Sequence, residues 1–235
     1  MAEKKNNFFV LRSIFAIFAP ETDKRLIDMK RFVYTMFLAG FLVAVKAQKM
    51  EDFFIQMPDN LIIQLEEAWR KDLVGLYKSG KPAVLENMMA GKSVLNKLTD
   101  DYLLLQSTES STVELKLLSL INNSLIICMI ETVYAPVADS RVSFYTTDWH
   151  LLPTEDLLTP VTVEWFWKED IDQTEIAYLS RSELFLVKYS LSVDDVILTA
   201  EYTTPRYLDD ENQQIVKPLL KAEPKIYSWK SGRFE

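Results

Sequence analysis

The segment VELKLLSLINNSLIICMIETVY, residues 113–134, contains the clearest structural pattern in this chain. Two apolar runs, residues 113–120 and 125–134, flank the sequence Asn-Asn-Ser at 122–124. Asn tolerates the positive φ angles that tight hairpin turns need. The stretch therefore predicts a pair of antiparallel strands joined by a short turn.

Short strand-like segments continue on both sides of this hairpin. Their lengths and their alternation of apolar and polar residues are typical of antiparallel sheets. We predict further strands at residues 102–106, 141–147, 161–167, 183–190, 196–203 and 225–229.

The two halves of this strand-rich region resemble each other. Residues 114–118 (ELKLL) match residues 183–187 (ELFLV), and Pro136 and Pro205 follow them at equal spacing. We interpret this as a duplicated antiparallel meander, with sub-repeats at about 101–152 and 171–231. The alternative is that two unrelated hairpins happen to look similar.

Helical spacing precedes the strands. Apolar residues fall at 61, 62, 65, 68, 69, 73, 76 and 77, which predicts a helix starting with Asp59 as N-cap and closed by Gly80. A shorter helix is expected at residues 50–57, and residues 83–98 give no clear pattern. The fold class is therefore α+β, with N-terminal helices packed on a largely antiparallel sheet made of two similar meanders. We favour one continuous sheet with an open second face over two packed sheets.

The N-terminal region looks like an export signal. A basic start at Met29-Lys30-Arg31 precedes the apolar run 32–45 and small Ala47, which predicts a signal peptide at 29–47. The run is shorter than the roughly 20 residues of a membrane-spanning helix. Gln48 is not the Cys that lipid attachment requires. We expect an over-extended start at 1–28, a single mature domain at 48–235, and a periplasmic or extracellular protein that is not a lipoprotein and keeps no membrane span after cleavage.

Composition excludes several classes of function. The 235 residues include 34 acidic and 26 basic side chains, for a net charge of −8, which disfavours nucleic acid as a partner. One His and one Cys exclude His/Cys metal clusters and an internal disulfide. None of the five glycines lies between residues 92 and 231, which excludes glycine-rich phosphate loops there. No cofactor or metal is expected.

Three motifs carry a resemblance to a known family: KMEDFFIQMP at 49–58, LTDDYL at 98–103 and FYTTDW at 144–149. Together they resemble an uncharacterised family of exported proteins from Gram-negative gut-type bacteria, of Bacteroidales type, known only as a domain of unknown function. The resemblance covers the chain from about Gln48 onwards. It implies export and supplies no catalytic residues.

Few residues offer catalytic chemistry. His150 is the only imidazole, and no nearby Ser has the context of a nucleophile elbow, so a turn histidine is the simpler interpretation. Glu131 and Glu201 occupy nearly matching repeat positions, so they are candidates to face one another across a cleft as a glycosidase pair. The alternative is that both are solvated strand residues.

Aromatic residues are the candidates for binding. Tyr145, Trp149, Trp165 and Trp167 either form an exposed platform for a sugar or peptide, or belong to the core. The sequence therefore favours a non-catalytic module that binds an envelope protein, peptide or glycan. The alternative is a hydrolase that acts on glycans or cell-wall polymers through acidic residues.

Overall fold

The hairpin lies at the centre of a seven-stranded antiparallel meander in a computed structural model that describes residues 48–172, 174–175 and 184–235. Asn123 in its turn has φ +62°, the left-handed conformation expected of this residue type. In chain order and in space, the strands are β1 (Val84–Glu86), β2 (Lys92–Leu98), β3 (Tyr102–Thr108), β4 (Ser111–Ser119), β5 (Leu125–Val133), β6 (Asp139–Thr146) and β7 (Leu151–Leu152).

The C-terminal part forms a separate four-stranded antiparallel sheet. Its strands are β8 (Val187–Leu191), β9 (Ile197–Tyr202), β10 (Lys225–Lys230) and β11 (Arg233–Phe234), in the spatial order β11-β10-β9-β8. The α+β class is confirmed, but the preference for one continuous sheet is wrong. The alternative of two packed sheets is what the chain forms, with seven and four strands.

The first sheet is buried on both faces, so the expected open face does not exist. On β5, Ile127 and Met129 join a core with the N-terminal helices, whereas Ile126, Cys128 and Ile130 join a core with the second sheet. Alternation sends neighbouring residues to opposite faces. A run that is apolar at both odd and even positions therefore indicates burial from both sides.

The helices are shorter than the spacing predicts. They are α1 (Met50–Gln56), α2 (Glu67–Lys78), α3 (Thr154–Leu157) and α4 (Asp210–Val216), with 3-10 helices at Asp59–Leu61, Val163–Phe166, Thr204–Tyr207 and Lys217–Leu219. Glu66 occupies the N-cap position of α2, not Asp59, although the Asp59 carboxylate still accepts from the Glu67 N–H at 3.1 Å. Gly80 follows the helix with φ +70°, as predicted.

Arg70 explains why the helical pattern is interrupted before α2. Its side chain is fully buried, and Nη1 donates to the carbonyl oxygen of Leu65 at 2.6 Å. Nη2 donates to the carbonyl oxygens of Ile55 and Met57. The chain before α2 therefore wraps around one guanidinium instead of continuing a helix, because that group satisfies its backbone acceptors.

Side chains of the first sheet cap the free edge of β8. Its three outward N–H groups, at Val187, Tyr189 and Leu191, donate to the side-chain oxygens of Asp139, Ser140 and Glu114 at 3.1, 3.0 and 2.9 Å. Unpaired edge donors are a template for pairing with another chain. Here polar side chains replace the missing strand and fix the second sheet against the first.

One predicted strand is wrong. Residues 161–167 contain the 3-10 helix Val163–Phe166, in which the Trp165 N–H donates to the carbonyl of Thr162. Sheet pairing in this segment is limited to an isolated bridge between Trp167 and Leu220. Conversely, residues 83–98 contain β1 and β2, although no clear pattern predicts strands there.

The predicted extension 1–28 and signal peptide 29–47 lie outside the described residues. Glu183 and most of the segment before β8, where the matching stretch of the second predicted repeat begins, also lie outside the described residues. Across the ranges that the structure does describe, no helix has the length and apolar character needed to cross a membrane.

Candidate functional site

A cleft of about 670 Å³ lies on the outer face of the second sheet. Ser190, Thr199 and Glu201 form part of its sheet wall. Thr199 and Glu201 alternate along β9 with Leu198 and Ala200, which face the first sheet, and Ser190 lies between the buried Tyr189 and Leu191 on β8. The volume is in the range of small-molecule sites, about 300–1,000 Å³.

Two chain segments close the cleft, and backbone hydrogen bonds hold them together. The Lys168 N–H donates to the Leu219 carbonyl at 3.0 Å, and the Lys221 N–H donates to the Phe166 carbonyl at 2.7 Å. The end of the 3-10 helix Val163–Phe166 is thereby joined to the end of the 3-10 helix Lys217–Leu219. Lys168 and Lys221 both line the cleft as a result.

The turn that carries Arg206 is fixed by two buried threonines. Thr203 Oγ1 donates to the Ala138 carbonyl at 2.5 Å, and Thr204 Oγ1 accepts from the Leu186 N–H at 2.7 Å. Pro205 in the first turn of this 3-10 helix removes a backbone donor that would have no partner. This part of the cleft wall is therefore held by both sheets.

Helix α4 contributes Gln213, and its start is defined by a side-chain cap. Asp209 Oδ1 accepts from the Asn212 N–H at 2.9 Å, and this bond lowers the pKa of the Asp209 carboxyl. Lys217, in the 3-10 helix after α4, brings an exposed ammonium to the cleft. A capped helix and a proline-containing turn thus position these two side chains.

Cationic groups outnumber carboxylates in the cleft. Its lining includes Lys168, Arg206, Lys217 and Lys221 against Glu201 and Glu223. Arg206 Nη2 pairs with Glu201 Oε1 at 2.5 Å, which neutralises both. The remaining charges are three lysines and one glutamate.

Two aromatic side chains that pack in the core between the sheets, Phe166 and Tyr202, border the cleft. Phe166 and Tyr202 stack with ring centroids 5.2 Å apart and an interplanar angle of 18°. Phe185, which is 39% exposed, lies against Tyr202 at 5.5 Å. The cleft therefore combines an apolar side with a basic one.

Glu131 and Glu201 do not face one another. Glu131 lies on β5 on the same face as Ile127 and Met129, which pack toward the helices. Glu201 lies on the outer face of the second sheet, so the two carboxylates point away from each other on different sheets. Glu131 is also paired with Arg141, whose Nε lies 3.0 Å from Glu131 Oε2.

The predicted residues near the end of β6 have structural contacts. His150 is exposed, and its backbone N–H donates to Thr146 Oγ1 at 3.1 Å. Tyr145 is buried and packs on Trp149 at 5.5 Å between centroids. Trp149 Nε1 donates to the carbonyl of Phe53 at 3.2 Å, which attaches β6 to α1.

Trp165 and Trp167 do not share a strand face, because they lie in and after a 3-10 helix. Trp165 borders the cleft: Lys221 Nζ lies 4.9 Å from its ring centroid and Lys225 Nζ 5.4 Å. The indole N–H of Trp167 is buried and has no acceptor among the described residues. Of the four predicted aromatic residues, Trp165 and Trp167 contact residues that line the cleft, Trp167 through its backbone bridge to Leu220.

Sequence reasoning missed the cationic lining of this site. Lys217, Lys221 and Lys225 recur every fourth residue, a local basic cluster in an acidic chain. This cluster is the feature of the sequence that could have indicated a basic site. Arg206 lies outside this cluster, and its pairing with Glu201 depends on the 3-10 helix Thr204–Tyr207, which no pattern in the sequence predicts.

The comparisons with known proteins agree with this architecture. The model of the family described as "Protein of unknown function (DUF3256)" matches residues 42–234. The chain belongs to this family. A solved domain of an uncharacterised protein from Porphyromonas gingivalis W83 is similar to this DUF3256 member, with a TM-score of 0.70 and 29% identity over 80% of this chain and 99% of that one. No curated protein matches the sequence. The resemblance to an uncharacterised Bacteroidales-type family is confirmed.

Proposed function

We propose that this DUF3256 protein is an exported, non-catalytic binding module whose ligand occupies the cleft on the second sheet. The observation that carries the proposal is the cleft itself, where the aromatic pair Phe166 and Tyr202 and ammonium groups with no carboxylate partner among the described residues adjoin a wall of strand hydroxyls. Such a mixture of apolar surface and a few polar groups is typical of ligand sites.

The arrangement of carboxylates supports binding over hydrolysis. A glycosidase needs two carboxyl groups about 5–10 Å apart on opposite sides of a bond. Glu201 in the cleft is paired with Arg206, and Glu131 lies on the other sheet. Among the described residues, the only other carboxylate that lines the cleft is Glu223.

Export follows from the sequence pattern at residues 29–47, and it is part of the proposal. The site of action is then the cell envelope or the exterior. N-terminal sequencing of the protein from its native host tests this element, with a mature chain starting near Gln48 as the expected result. Recovery of the uncleaved chain from the cytosol would contradict it.

Binding is tested by saturation-transfer NMR with three probes: galactotriose, trigalacturonate and a tetraglutamate peptide. We expect at least one probe to bind, to lose its signal when Thr199→Trp fills the cleft, and to be recovered unchanged after prolonged incubation. Lys97→Trp, which places the same bulk at an exposed position of β2, serves as the control. Cleaved probe, or binding that Thr199→Trp leaves intact, would refute the proposal.

A further inference from the structure

We propose that the ligand of the cleft is an acidic carbohydrate, whose carboxylate or sulfate group pairs with Lys217 and Lys221. This inference rests on the proposed binding function and specifies its ligand.

The described residues that line the cleft leave it with a net positive charge. Lys168 Nζ donates to the Pro218 carbonyl at 2.5 Å, and Lys221 Nζ donates to the Trp165 carbonyl at 2.9 Å. A carbonyl satisfies a donor and leaves the positive charge in place. Within the described ranges, no carboxylate lies within ion-pair distance of Lys168, Lys217 or Lys221. An anion in the cleft would supply the missing partner.

This basic character is local. The whole chain has a net charge of −8, so a surface taken at random would be acidic. Concave surfaces with charge of one sign concentrate the field that attracts a ligand of opposite sign. Because the lysines lie together in a cleft, they favour an anionic ligand.

Of the three lysines, Lys217 is the one that belongs most clearly to this cleft. Lys168 and Lys221 also line a neighbouring pocket that contains the carboxylates of Glu169, Asp170 and Glu175. Lys217 lines the cleft but not that pocket. We therefore assign the main contact with the anionic group to Lys217, with Lys221 beside it.

The remaining lining suits a hydroxylated ligand. Ser190 and Thr199 expose hydroxyl groups along the sheet wall, and Gln213 donates Nε2 to the Leu208 carbonyl at 2.8 Å, which leaves its Oε1 as an acceptor. Hydroxyls and amide oxygens match the donors and acceptors of a sugar ring.

The position of the cleft disfavours an extended peptide. Peptides usually bind sheets by adding a strand to an edge, where backbone groups are free. This cleft lies over a sheet face, and the β8 edge is already occupied by side chains of Asp139, Ser140 and Glu114. The ligand must therefore be recognised mainly through side chains.

The test is an NMR titration of the full mature chain with trigalacturonate, a sulfated chondroitin disaccharide, galactotriose and tetraglutamate. We expect at least one acidic sugar to bind about tenfold more tightly than galactotriose at about 50 mM salt, and to lose most of that advantage at about 500 mM salt. Whether trigalacturonate or the sulfated sugar is favoured identifies the anionic group.

Three variants locate the anion. Lys217→Gln is expected to weaken binding of the acidic sugar about threefold to fivefold, the scale of one partly exposed ion pair. Lys217→Arg keeps the charge and should retain most of the affinity. Lys71→Gln, at an exposed position of α2, is the matched control and should bind like the unmodified protein.

The outcomes separate this inference from the proposed function. If galactotriose and the acidic sugars bind with equal affinity and Thr199→Trp still abolishes binding, the proposal of an anionic ligand is wrong. The proposed binding function then still stands. Tightest binding of tetraglutamate in the cleft overturns the carbohydrate class. If none of the four probes perturbs resonances of the cleft, both proposals fall.

Discussion

The carboxylate of Glu114 on the first sheet accepts a hydrogen bond from the backbone N–H of Leu191 on the second, at 2.9 Å. The same oxygen accepts from the Tyr102 hydroxyl at 3.1 Å. Lys116 on the same strand is buried as well, like Glu114. Its ammonium donates to the Val193 carbonyl at 2.8 Å and pairs with Asp101 Oδ2 at 2.9 Å. Polar groups buried between two sheets are therefore partnered, and they determine where the second sheet sits.

Replacing Glu114 with Leu should lower the free energy of unfolding by about 1–3 kcal/mol, because the Leu191 N–H and the Tyr102 hydroxyl lose their acceptor. Glu114→Gln keeps an amide oxygen in place and should cost less. Urea denaturation measures both changes. A Glu114→Leu variant as stable as the unmodified protein would show that these donors find other partners.

Glu114 should also give the stability a pH dependence of defined sign. Burial raises the pKa of its carboxyl, and the bonds from Leu191 and Tyr102 only partly oppose that effect. The folded protein therefore holds this proton to higher pH than the unfolded chain, so its stability falls as the pH rises above about 4.3. Compared with Glu114→Gln across pH 4 to pH 7, the unmodified protein should lose relative stability as pH increases. A constant difference would contradict this assignment.

Ser140 should stabilise the edge of β8. Its Oγ accepts from the Tyr189 N–H at 3.0 Å and lies 2.8 Å from Thr132 Oγ1. Ser140→Ala removes both contacts and should cost about 1–2 kcal/mol in thermal or urea unfolding. Ser119→Ala, at an exposed position of β4, is the control and should change little. Equal stability of the two variants would argue against edge capping.

Arg70 should be among the most sensitive positions of the chain. Its side chain is fully buried, and Nη1 pairs with Asp59 at 2.8 Å in addition to its carbonyl partners. Arg70→Met keeps much of the volume but removes every donor, and we expect a loss of about 3 kcal/mol or more. The adjacent Lys71→Met, on the exposed side of α2, should stay within about 0.5 kcal/mol. Similar effects at both positions would exclude a special role for Arg70.

Gly75 and Gly80 provide a matched pair, because a Cβ added to either has no heavy atom within 4 Å. Gly75 lies inside α2, so Gly75→Ala should stabilise the protein by about 0.5–1 kcal/mol. Gly80 has φ +70°, so Gly80→Ala should destabilise it by about 1–2 kcal/mol. Calorimetry would show melting temperatures moving in opposite directions. Shifts of the same sign would rule out backbone conformation as the cause.

Local patterns predicted much of the fold. Apolar runs and the Asn-Asn-Ser turn predict β4 and β5, and a short helix is expected at residues 50–57, where α1 forms. Residues 161–167 were misassigned because aromatic content favours strands in general. There, backbone pairing of Trp167 with Leu220 depends on a segment more than fifty residues away.

The candidate site was less accessible to sequence reasoning. Trp149 is partly buried and packs against the core, where its indole donates to a carbonyl of α1, and no local pattern encodes that contact. Glu131 and Glu201 occupy similar positions along their strands, but one faces the helices and the other the cleft. Strand alternation gives two faces, and only the packing of complete sheets decides what covers each face.

The capping of β8 has a consequence for self-association. The acceptors that occupy its edge belong to the other sheet, so they leave only when the two sheets separate. A neighbouring molecule cannot extend this strand by displacing a frayed terminus or a mobile loop. Fibril growth from this edge would require loss of tertiary structure first, which links the colloidal behaviour of the protein to its global unfolding equilibrium.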